Sequence, residues 1–274
     1  MSPADFFPSL APWVANLADV WPAYIIKPQF ASWEVLHLIS LVVLGGSSIL
    51  LNLRLIGVGL IDEAPSEIHR NLHRWVTVGV VGITVTGILI GMANAERLYN
   101  SEAFTVKIIA LLAGVILTYG ASLPVAKADG EMSVSSKIWL LTGLVVWGLG
   151  LFVFVTAKLI NPGIYHVLSG AALIVAFVTR GPMRRIYLAG VAVLLITQIV
   201  ITHFVMDPYD NLRVDPANIV FAWLWAAWII GWGVVPLFRA SRGGDGQGLT
   251  KLLGYLVILV WISAAAAGRW IAFA

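Results

Sequence analysis

The chain alternates long apolar stretches with short polar connections. A membrane-spanning helix needs about 20 apolar residues, because the hydrocarbon layer is about 30 Å thick and each helical residue rises about 1.5 Å. Eight stretches without Lys, Arg, Asp or Glu approach or reach this length, approximately at residues 35–53, 75–93, 108–126, 138–157, 164–179, 186–205, 219–238 and 252–268. The fifth is short and needs flanking residues or a thinner bilayer to span. The pattern predicts about eight transmembrane helices.

The composition agrees with a membrane environment. Of the 274 residues, 59% are hydrophobic and only 11% are charged, and the mean hydropathy is +0.91. A soluble domain carries about 25% charged residues. Period-two alternation of polar and apolar residues is absent, and helices satisfy their own backbone groups in lipid. We therefore predict an all-α integral membrane bundle.

The first 31 residues differ from the rest. They lack the basic start and small-residue cleavage site of a secretory signal, so we expect them to stay in the mature chain. Trp13, Trp21 and Tyr24, interrupted by prolines, favour a short helix at the membrane interface. Contact with lipid is the simpler explanation, and docking of a partner is the alternative.

Basic residues are distributed unequally between the two sides of the eight-helix arrangement. Eleven Lys and Arg fall on one side and six on the other, and the richer side includes Arg180, Arg184 and Arg185. The positive-inside rule then places both termini outside the cytoplasm, in the periplasm of a bacterial inner membrane. The net charge of +3 is thus explained by topology, and it indicates no nucleic-acid partner.

The chemistry open to this chain is restricted by its lack of cysteine. Disulfides, Cys-ligated iron–sulfur or zinc sites and covalently attached c-type haem are excluded. Nucleotide-binding glycine loops and hydrolase motifs are also absent, so no catalytic residue is identified. Any cofactor must be held by His, Met or carboxylates.

A weak internal repeat divides the membrane part into two units. "VLHLIS" at 35–40 resembles "IYHVLS" at 164–169, and "TGILIGMANAERLYN" from Thr86 can be aligned with "TQIVITHFVMDPYDN" from Thr197. Four predicted helices separate the two halves, so the repeats would be parallel. We predict four-helix units at 32–160 and 161–274, and chance similarity of apolar sequence is the alternative.

Three histidines lie at one depth near the outer boundary of the predicted helices: His37, His166 and His203. Ionisable side chains inside a membrane usually face the bundle interior and mark sites. His37 and His166 are equivalent in the repeat, so we predict that they are the axial ligands of one b-type haem, with propionates near Lys27 or Arg213. Interhelical hydrogen bonding is the alternative for each histidine. His203, close to Asp207, is the alternative metal ligand, a proton-carrying group or an interfacial cap.

Other polar and aromatic residues have simpler interpretations. His69 and His73 share one helix face at a spacing that can bind metal, but a solvated helix entry is favoured. Arg54 could neutralise a cofactor or a lipid phosphate, and reaching to lipid is favoured. Trp225, Trp228 and Trp232 form a stripe that could flank a haem or a quinone, and packing is favoured.

Two segments carry a resemblance to known families. "WEVLHLISLVVLGGSSILLNLRLIGV" and "TGILIGMANAERLYNSEAFTVKIIALLAGV" resemble a widespread bacterial membrane family of unassigned function. More distantly, they are similar to copper-resistance D (CopD) and HemJ-type protoporphyrinogen oxidase proteins. The resemblance covers about the first 125 residues. It implies a four-helix unit, doubled here, whose helix histidine, His37, is associated with b-type haem; other polar ligands of these relatives are not recognisable.

These observations predict a b-haem protein that moves electrons between an outer partner and the quinone pool. Five acidic residues lie on the outer loops, and a basic soluble electron carrier would suit that face, although ordinary loop solubility is the favoured explanation: Glu96, Glu102, Asp207, Asp210 and Asp215. Two alternatives remain open. One is a non-catalytic subunit or scaffold of a larger membrane complex. The other is a protein that passes copper or a small solute, because His and Met near the outer boundary, including Met92 and Met206, are suitable ligands.

Overall fold

The structure is a computed structural model that describes residues 1–156, 164–207, 209–242 and 247–271. Within these ranges, the side chains of residues 154–156, 164, 166, 177, 178, 211, 234–242 and 247 lie outside the description. All regular secondary structure in the described ranges is helical, which confirms the predicted all-α class.

The chain begins with short helices and continues into long ones. The α-helices are α1 (Pro3–Phe6), α2 (Ala11–Asn16), α3 (Ala23–Ile26), α4 (Phe30–Ile56), α5 (Pro65–Ala93), α6 (Ala95–Tyr99), α7 (Glu102–Leu117), α8 (Leu123–Lys127), α9 (Val134–Thr156), α10 (Ile164–Val178), α11 (Gly181–Val200), α12 (Asn211–Arg242) and α13 (Gln247–Trp270). A π-helical segment, Thr118–Ser122, joins α7 to α8, and a second one, Ile201–Val205, follows α11.

Seven helical segments in the described ranges are long and apolar enough to cross a membrane. They comprise α3 with α4, α5, α7 with α8, α9, α11 with its π segment, α12 and α13. The fifth predicted span is the exception, because α10 has only 15 residues. This agrees with the sequence, in which the fifth apolar stretch is the short one.

Contacts between helix ends define the two ends of the bundle. The Met1 amine pairs with Glu102, and Gly268 near the end of α13 lies beside Lys107 of α7. At the opposite end, Thr250 of α13 donates a hydrogen bond to the Gly130 carbonyl at 2.8 Å. The start of the chain and the end of α13 therefore share one end. We call it the outer end and the opposite one the inner end.

Helix α13 lies at the centre of the packing. It contacts α4, α7 and α10, and glycines allow close approach: a Cβ at Gly254 would lie 2.9 Å from the Asn52 carbonyl oxygen. In the most hydrophobic window of its span, 61% of residues are buried, against 6% for the Gly181–Val205 span. The last helix thus joins the two predicted units.

Buried polar side chains connect helices in the inner half. Ser122 donates to the Asn52 Oδ1 atom at 2.8 Å, and Asn52 donates to the Ser48 carbonyl at 2.7 Å. Trp261 Nε1 donates to Thr118 Oγ1 at 3.2 Å. The π-helical segment thus carries two of the hydroxyls that join α4 and α13 to it, so its irregular backbone has a packing role.

The N-terminal segment differs from the single short helix predicted for it. Residues 3–29 form three short α-helices and three 3₁₀ turns, because prolines remove backbone donors and interrupt longer helices. Tyr99 donates a hydrogen bond to the Phe7 carbonyl at 2.6 Å, which fastens the segment to the outer end. Trp13, Trp21 and Tyr24 remain exposed, as an interfacial segment requires.

Candidate functional site

His37 lies on α4, two turns from its outer end, with its ring directed at α5. The Thr86 hydroxyl donates to the Gly82 carbonyl at 2.6 Å, so it accepts a hydrogen bond from His37 Nδ1 at 2.8 Å. This arrangement places the ring proton on Nδ1 and leaves a lone pair on Nε2. Thr86 thus sets both the tautomer and the orientation of the imidazole.

Lys107 faces the free nitrogen of this imidazole. Its Nζ atom, in the second turn of α7, lies 3.4 Å from His37 Nε2, which is longer than a good hydrogen bond. No carboxylate of the described residues lies within 4.0 Å of the Lys107 amine. The site therefore combines a basic amine and an imidazole lone pair without an acidic partner.

Two glycines make room for the pair. A Cβ at Gly87 on α5 would lie 3.3 Å from His37 Cε1, and a Cβ at Gly268 on α13 would lie 3.5 Å from Lys107 Cε. An alanine at Gly87 would press on the imidazole, whereas one at Gly268 would make ordinary contact with Lys107. Four helices, α4, α5, α7 and α13, thus build what we call the His37 site.

The chemistry of the site follows from these atoms. A histidine that binds a metal through Nε2 usually donates its Nδ1 proton to a neighbouring acceptor, as His37 does to Thr86. The amine of Lys107 can serve as a second nitrogen ligand or, when charged, as a partner for an anionic group. His37 therefore fits the ligand role predicted from the sequence.

The other two outer histidines are placed differently. His166 lies in α10, which packs on α12 and α13, and its side chain lies outside the described residues. His203 is exposed in the second π segment, where its Nδ1 donates to Thr202 Oγ1 at 2.8 Å. His37 makes no hydrogen bond with His203 in the described structure, and the pairing with His166 stays a prediction.

The inner histidine pair forms as its spacing predicts. The rings of His69 and His73 stack with centroids 5.0 Å apart, and His73 Nδ1 donates to the His69 carbonyl at 2.9 Å. No group of three or more His, Asp or Glu in the described part of the chain is arranged to hold a metal ion. Arg54 donates to the Glu63 carbonyl at the same end.

The tryptophan stripe packs against α11. Trp225 Nε1 donates to Gln198 Oε1 at 3.1 Å, and Trp228 Nε1 donates to the Tyr187 carbonyl at 3.3 Å. The rings of Trp228 and Trp232 lie 5.6 Å apart. These contacts agree with the packing role that the sequence favoured.

A polar cluster in the second half occupies positions related to the His37 site. Asn218 Oδ1 accepts a hydrogen bond from Gln198 Nε2 at 3.0 Å, and the backbone carbonyl of Asn218 accepts one from the Tyr165 hydroxyl at 2.6 Å. The shift of 111 residues that aligns Thr86 with Thr197 also aligns Lys107 with Asn218. Both halves therefore place polar side chains on corresponding helices.

The charged residues at the outer end are partly paired. Glu102 binds the Met1 amine, and Asp210 lies 3.5 Å from Arg213. Lys27 lies 4.0 Å from Asp19. The two basic residues expected near haem propionates, Lys27 and Arg213, thus already face carboxylates.

A comparison with known families finds one similarity, in the first half of the chain. Residues 29–161 match the model of DUF6644, a family of unknown function. The DUF6644 match covers 133 of the 274 residues, from the start of α4 to just beyond α9, and includes His37, Thr86 and Lys107. No curated protein and no solved structure matches the chain. Similarity to a membrane family of unassigned function is confirmed, and the CopD and HemJ-type resemblance stays a prediction.

Sequence reasoning missed Thr86 and Lys107. Lys107 directly precedes the third apolar stretch, 108–126, and so falls outside the predicted span, although α7 already begins at Glu102. A lysine a turn and a half into an apolar helix was the available signal. Thr86 gave no comparable signal, because threonine commonly bonds its own helix backbone.

Proposed function

We propose that the protein binds b-type haem at the His37 site and transfers electrons between a partner at the outer end and the membrane quinone pool. It is a polytopic membrane protein whose long helices hold this site near the outer end. When bound, the haem would supply one-electron redox chemistry that side chains alone lack.

One observation carries the proposal: Thr86 fixes the His37 ring with its Nε2 lone pair directed into the bundle. A histidine used only to join two helices would gain most from a close hydrogen bond at each nitrogen. Here the second nitrogen faces Lys107 at 3.4 Å, which leaves its lone pair available to bind a metal ion.

The second axial ligand distinguishes two versions of the proposal. The sequence repeat predicts His166, whereas in the structure the nitrogen that faces His37 is Lys107. Either residue would supply a nitrogen as the second ligand, and His37 would supply the first through Nε2.

An absorption spectrum tests the proposal. Full-length protein, produced with a haem precursor and purified in detergent, should show a Soret band and, on reduction, sharp alpha and beta bands. His37→Ala should abolish them, while His203→Ala, the matched control, should leave them unchanged. Loss of the low-spin spectrum in Lys107→Ala or in His166→Ala identifies the second ligand.

Two results would overturn the proposal. One is a haem-supplied wild-type protein without Soret absorption. The other is a His37→Ala protein, correctly folded by gel filtration, whose spectrum equals that of the wild type.

The exposed sixth span favours a second candidate function, that of a subunit in a larger membrane complex. Only 6% of the most hydrophobic window in Gly181–Val205 is buried within the chain, and its exposed side chains include Val193 and Ile196. A photo-crosslinker at Val193 should then give one discrete protein adduct in native membranes. A crosslinker at the buried Val260 is the control, and adducts with lipid alone would contradict this function.

A further inference from the structure

A cleft of about 560 Å³ opens at the inner end of the bundle. It lies where α4 ends and where α5, α9 and α13 begin, and its polar lining comes from Arg54, Asp129, Glu131, Lys137 and Thr250. The cleft is at the opposite end from the His37 site. Whatever it binds is therefore independent of the haem proposal.

Hydrogen bonds hold the walls of this inner cleft in place. Asp129 Oδ1 accepts from the Ser66 backbone N–H at 2.9 Å, at the start of α5. Thr250 of α13 donates to the Gly130 carbonyl at 2.8 Å, and Arg54 of α4 donates through Nε to the Glu63 carbonyl. The loop that carries Asp129 is thus tied to two helices, so the cleft is formed without a ligand.

The charges in the inner cleft are balanced but incompletely paired. Arg54 and Lys137 are positive, Asp129 and Glu131 are negative, and no ion pair within 4.0 Å joins them in the described structure. Arg54 uses Nε for Glu63, which leaves its two terminal nitrogens for a ligand. A guanidinium and an ammonium together suit a phosphate, whereas carboxylates suit an ammonium group. A ligand that matches both signs is zwitterionic.

The position of the cleft indicates a lipid as the source of that ligand. Ends of membrane helices lie at the level of phospholipid head groups. Below Lys137, Leu141 and Val145 continue down the same face of α9 and are 64% and 58% exposed, and Leu249 borders the cleft at 45% exposure. These apolar side chains provide a path for acyl chains from the cleft into the bilayer.

We propose that the inner cleft binds the head group of phosphatidylethanolamine. The phosphate contacts Arg54 and Lys137, and the primary ammonium donates to Glu131 and to the second oxygen of Asp129. A phosphatidylglycerol head group lacks the cation for these carboxylates, and phosphatidylcholine has no N–H donors. The cleft therefore discriminates among lipids by the head-group amine.

Native mass spectrometry of the full-length protein in detergent tests this site. With phosphatidylethanolamine, phosphatidylcholine and phosphatidylglycerol at equal concentrations, the first lipid should be retained most. Lys137→Gln should weaken its retention about tenfold, because a hydrogen bond to a charged group is lost. Arg74→Gln, a charge change on α5 outside the cleft, should have no effect.

Glu131→Gln provides an independent measurement, since the Glu131 side chain makes no hydrogen bond in the described structure and its loss should not affect folding. It should abolish the preference for phosphatidylethanolamine over phosphatidylcholine. Equal retention of the three lipids by the wild type, or equal effects of Lys137→Gln and Arg74→Gln, would overturn the proposal. Complete displacement of the lipid by excess inorganic phosphate would instead identify a site for a free anion.

Discussion

At the scale of single residues, the His37 site has an unusual balance of charge. An ammonium or imidazole inside a membrane is costly and usually has an acidic partner. Lys107 and His37 have only each other and Thr86 in the described structure. Two basic groups without a carboxylate agree with the proposal that this site binds a ligand.

The Thr86 hydroxyl is expected to stabilise the fold through His37. Thr86→Val keeps the shape but removes the acceptor, which leaves the partly buried Nδ1 proton unpaired at a cost of about 1 kcal/mol. Thr86→Ser keeps the acceptor and should behave nearly as the wild type. Thermal unfolding of the purified variants in detergent measures the difference, and equal midpoints for Val and Ser would contradict the role assigned to Thr86.

At the scale of helices, close contacts between α4 and α5 are made at glycines. A Cβ at Gly79 would lie 2.6 Å from the Leu44 backbone nitrogen, whereas a Cβ at Gly45 would meet nothing within 4 Å. Small residues of this kind let membrane helices approach each other closely. The two glycines are therefore not equivalent.

Opposite effects are expected from the same substitution at these glycines. Gly79→Ala should push α4 from α5 and destabilise the protein by about 1–3 kcal/mol, as overpacking does. Gly45→Ala should be neutral or stabilise by up to about 1 kcal/mol, because alanine is the better helix former. The folded fraction after graded heating reports both, and a tolerated Gly79→Ala would show that this helix contact is loose.

Asp129 links the loop before α9 to the first turn of α5. The Ser66 backbone N–H and, secondarily, its hydroxyl hold the pKa of the Asp129 carboxyl below its usual range. This interaction raises the free energy of unfolding at pH values above the unfolded-state pKa of about 3.9. The contribution is lost as the pH falls through the lower pKa of the folded state.

Asp129→Asn should therefore be less stable than the wild type at neutral pH, and the difference should narrow below about pH 4. Asp62→Asn, in the loop between α4 and α5, is the control, since the Asp62 carboxylate makes no hydrogen bond in the described structure. Unfolding midpoints measured across this pH range test the expectation. A difference that does not change with pH would mean that the carboxylate charge is not involved.

Much of the helix architecture could be predicted, but much of the site could not. Apolar runs locate seven spans because length and hydropathy are local properties, and the same criterion identified α10 as short. The membrane position of Lys107 could not be predicted in this way, because the uncharged stretch that defines the span begins at the next residue. Its approach to His37, 70 positions away, depends on how α4 and α7 pack, as does the central place of α13.

At the scale of the whole molecule, the positions of the two ends require an even number of crossings. Met1 and Gly268 both lie near the start of α7, and seven spans alone would separate them. We therefore expect helix α10 to cross as an eighth span despite its 15 residues, with help from flanking residues or a thinner bilayer. This agrees with the eight crossings expected from the sequence.

Reporter fusions test both the count and the orientation. Alkaline phosphatase fused after Ala274 should be active, as a periplasmic terminus requires, and a fusion after Arg180 should be inactive. A cytoplasmic reporter at the same two positions should give the reverse pattern. Activity of the same kind at both positions would show that an odd number of crossings does not separate them.

The outer surface is expected to attract a basic electron carrier, although less strongly than the sequence alone implied. Of the five acidic residues that the sequence assigns to this end, Glu102 and Asp210 are paired within the chain, which leaves Glu96, Asp207 and Asp215 as the main contributors. Charge steering of this kind raises association rates and weakens with ionic strength, because salt screens exposed charges within about 10 Å at 0.1 M.

A basic c-type cytochrome should therefore associate faster with the wild type than with a Glu96→Gln, Asp207→Asn double variant, and the difference should vanish at high salt. Glu67→Gln at the inner end is the matched control in detergent, where both ends are accessible. Association rates equal in all three proteins at low salt would remove the outer end as the docking face.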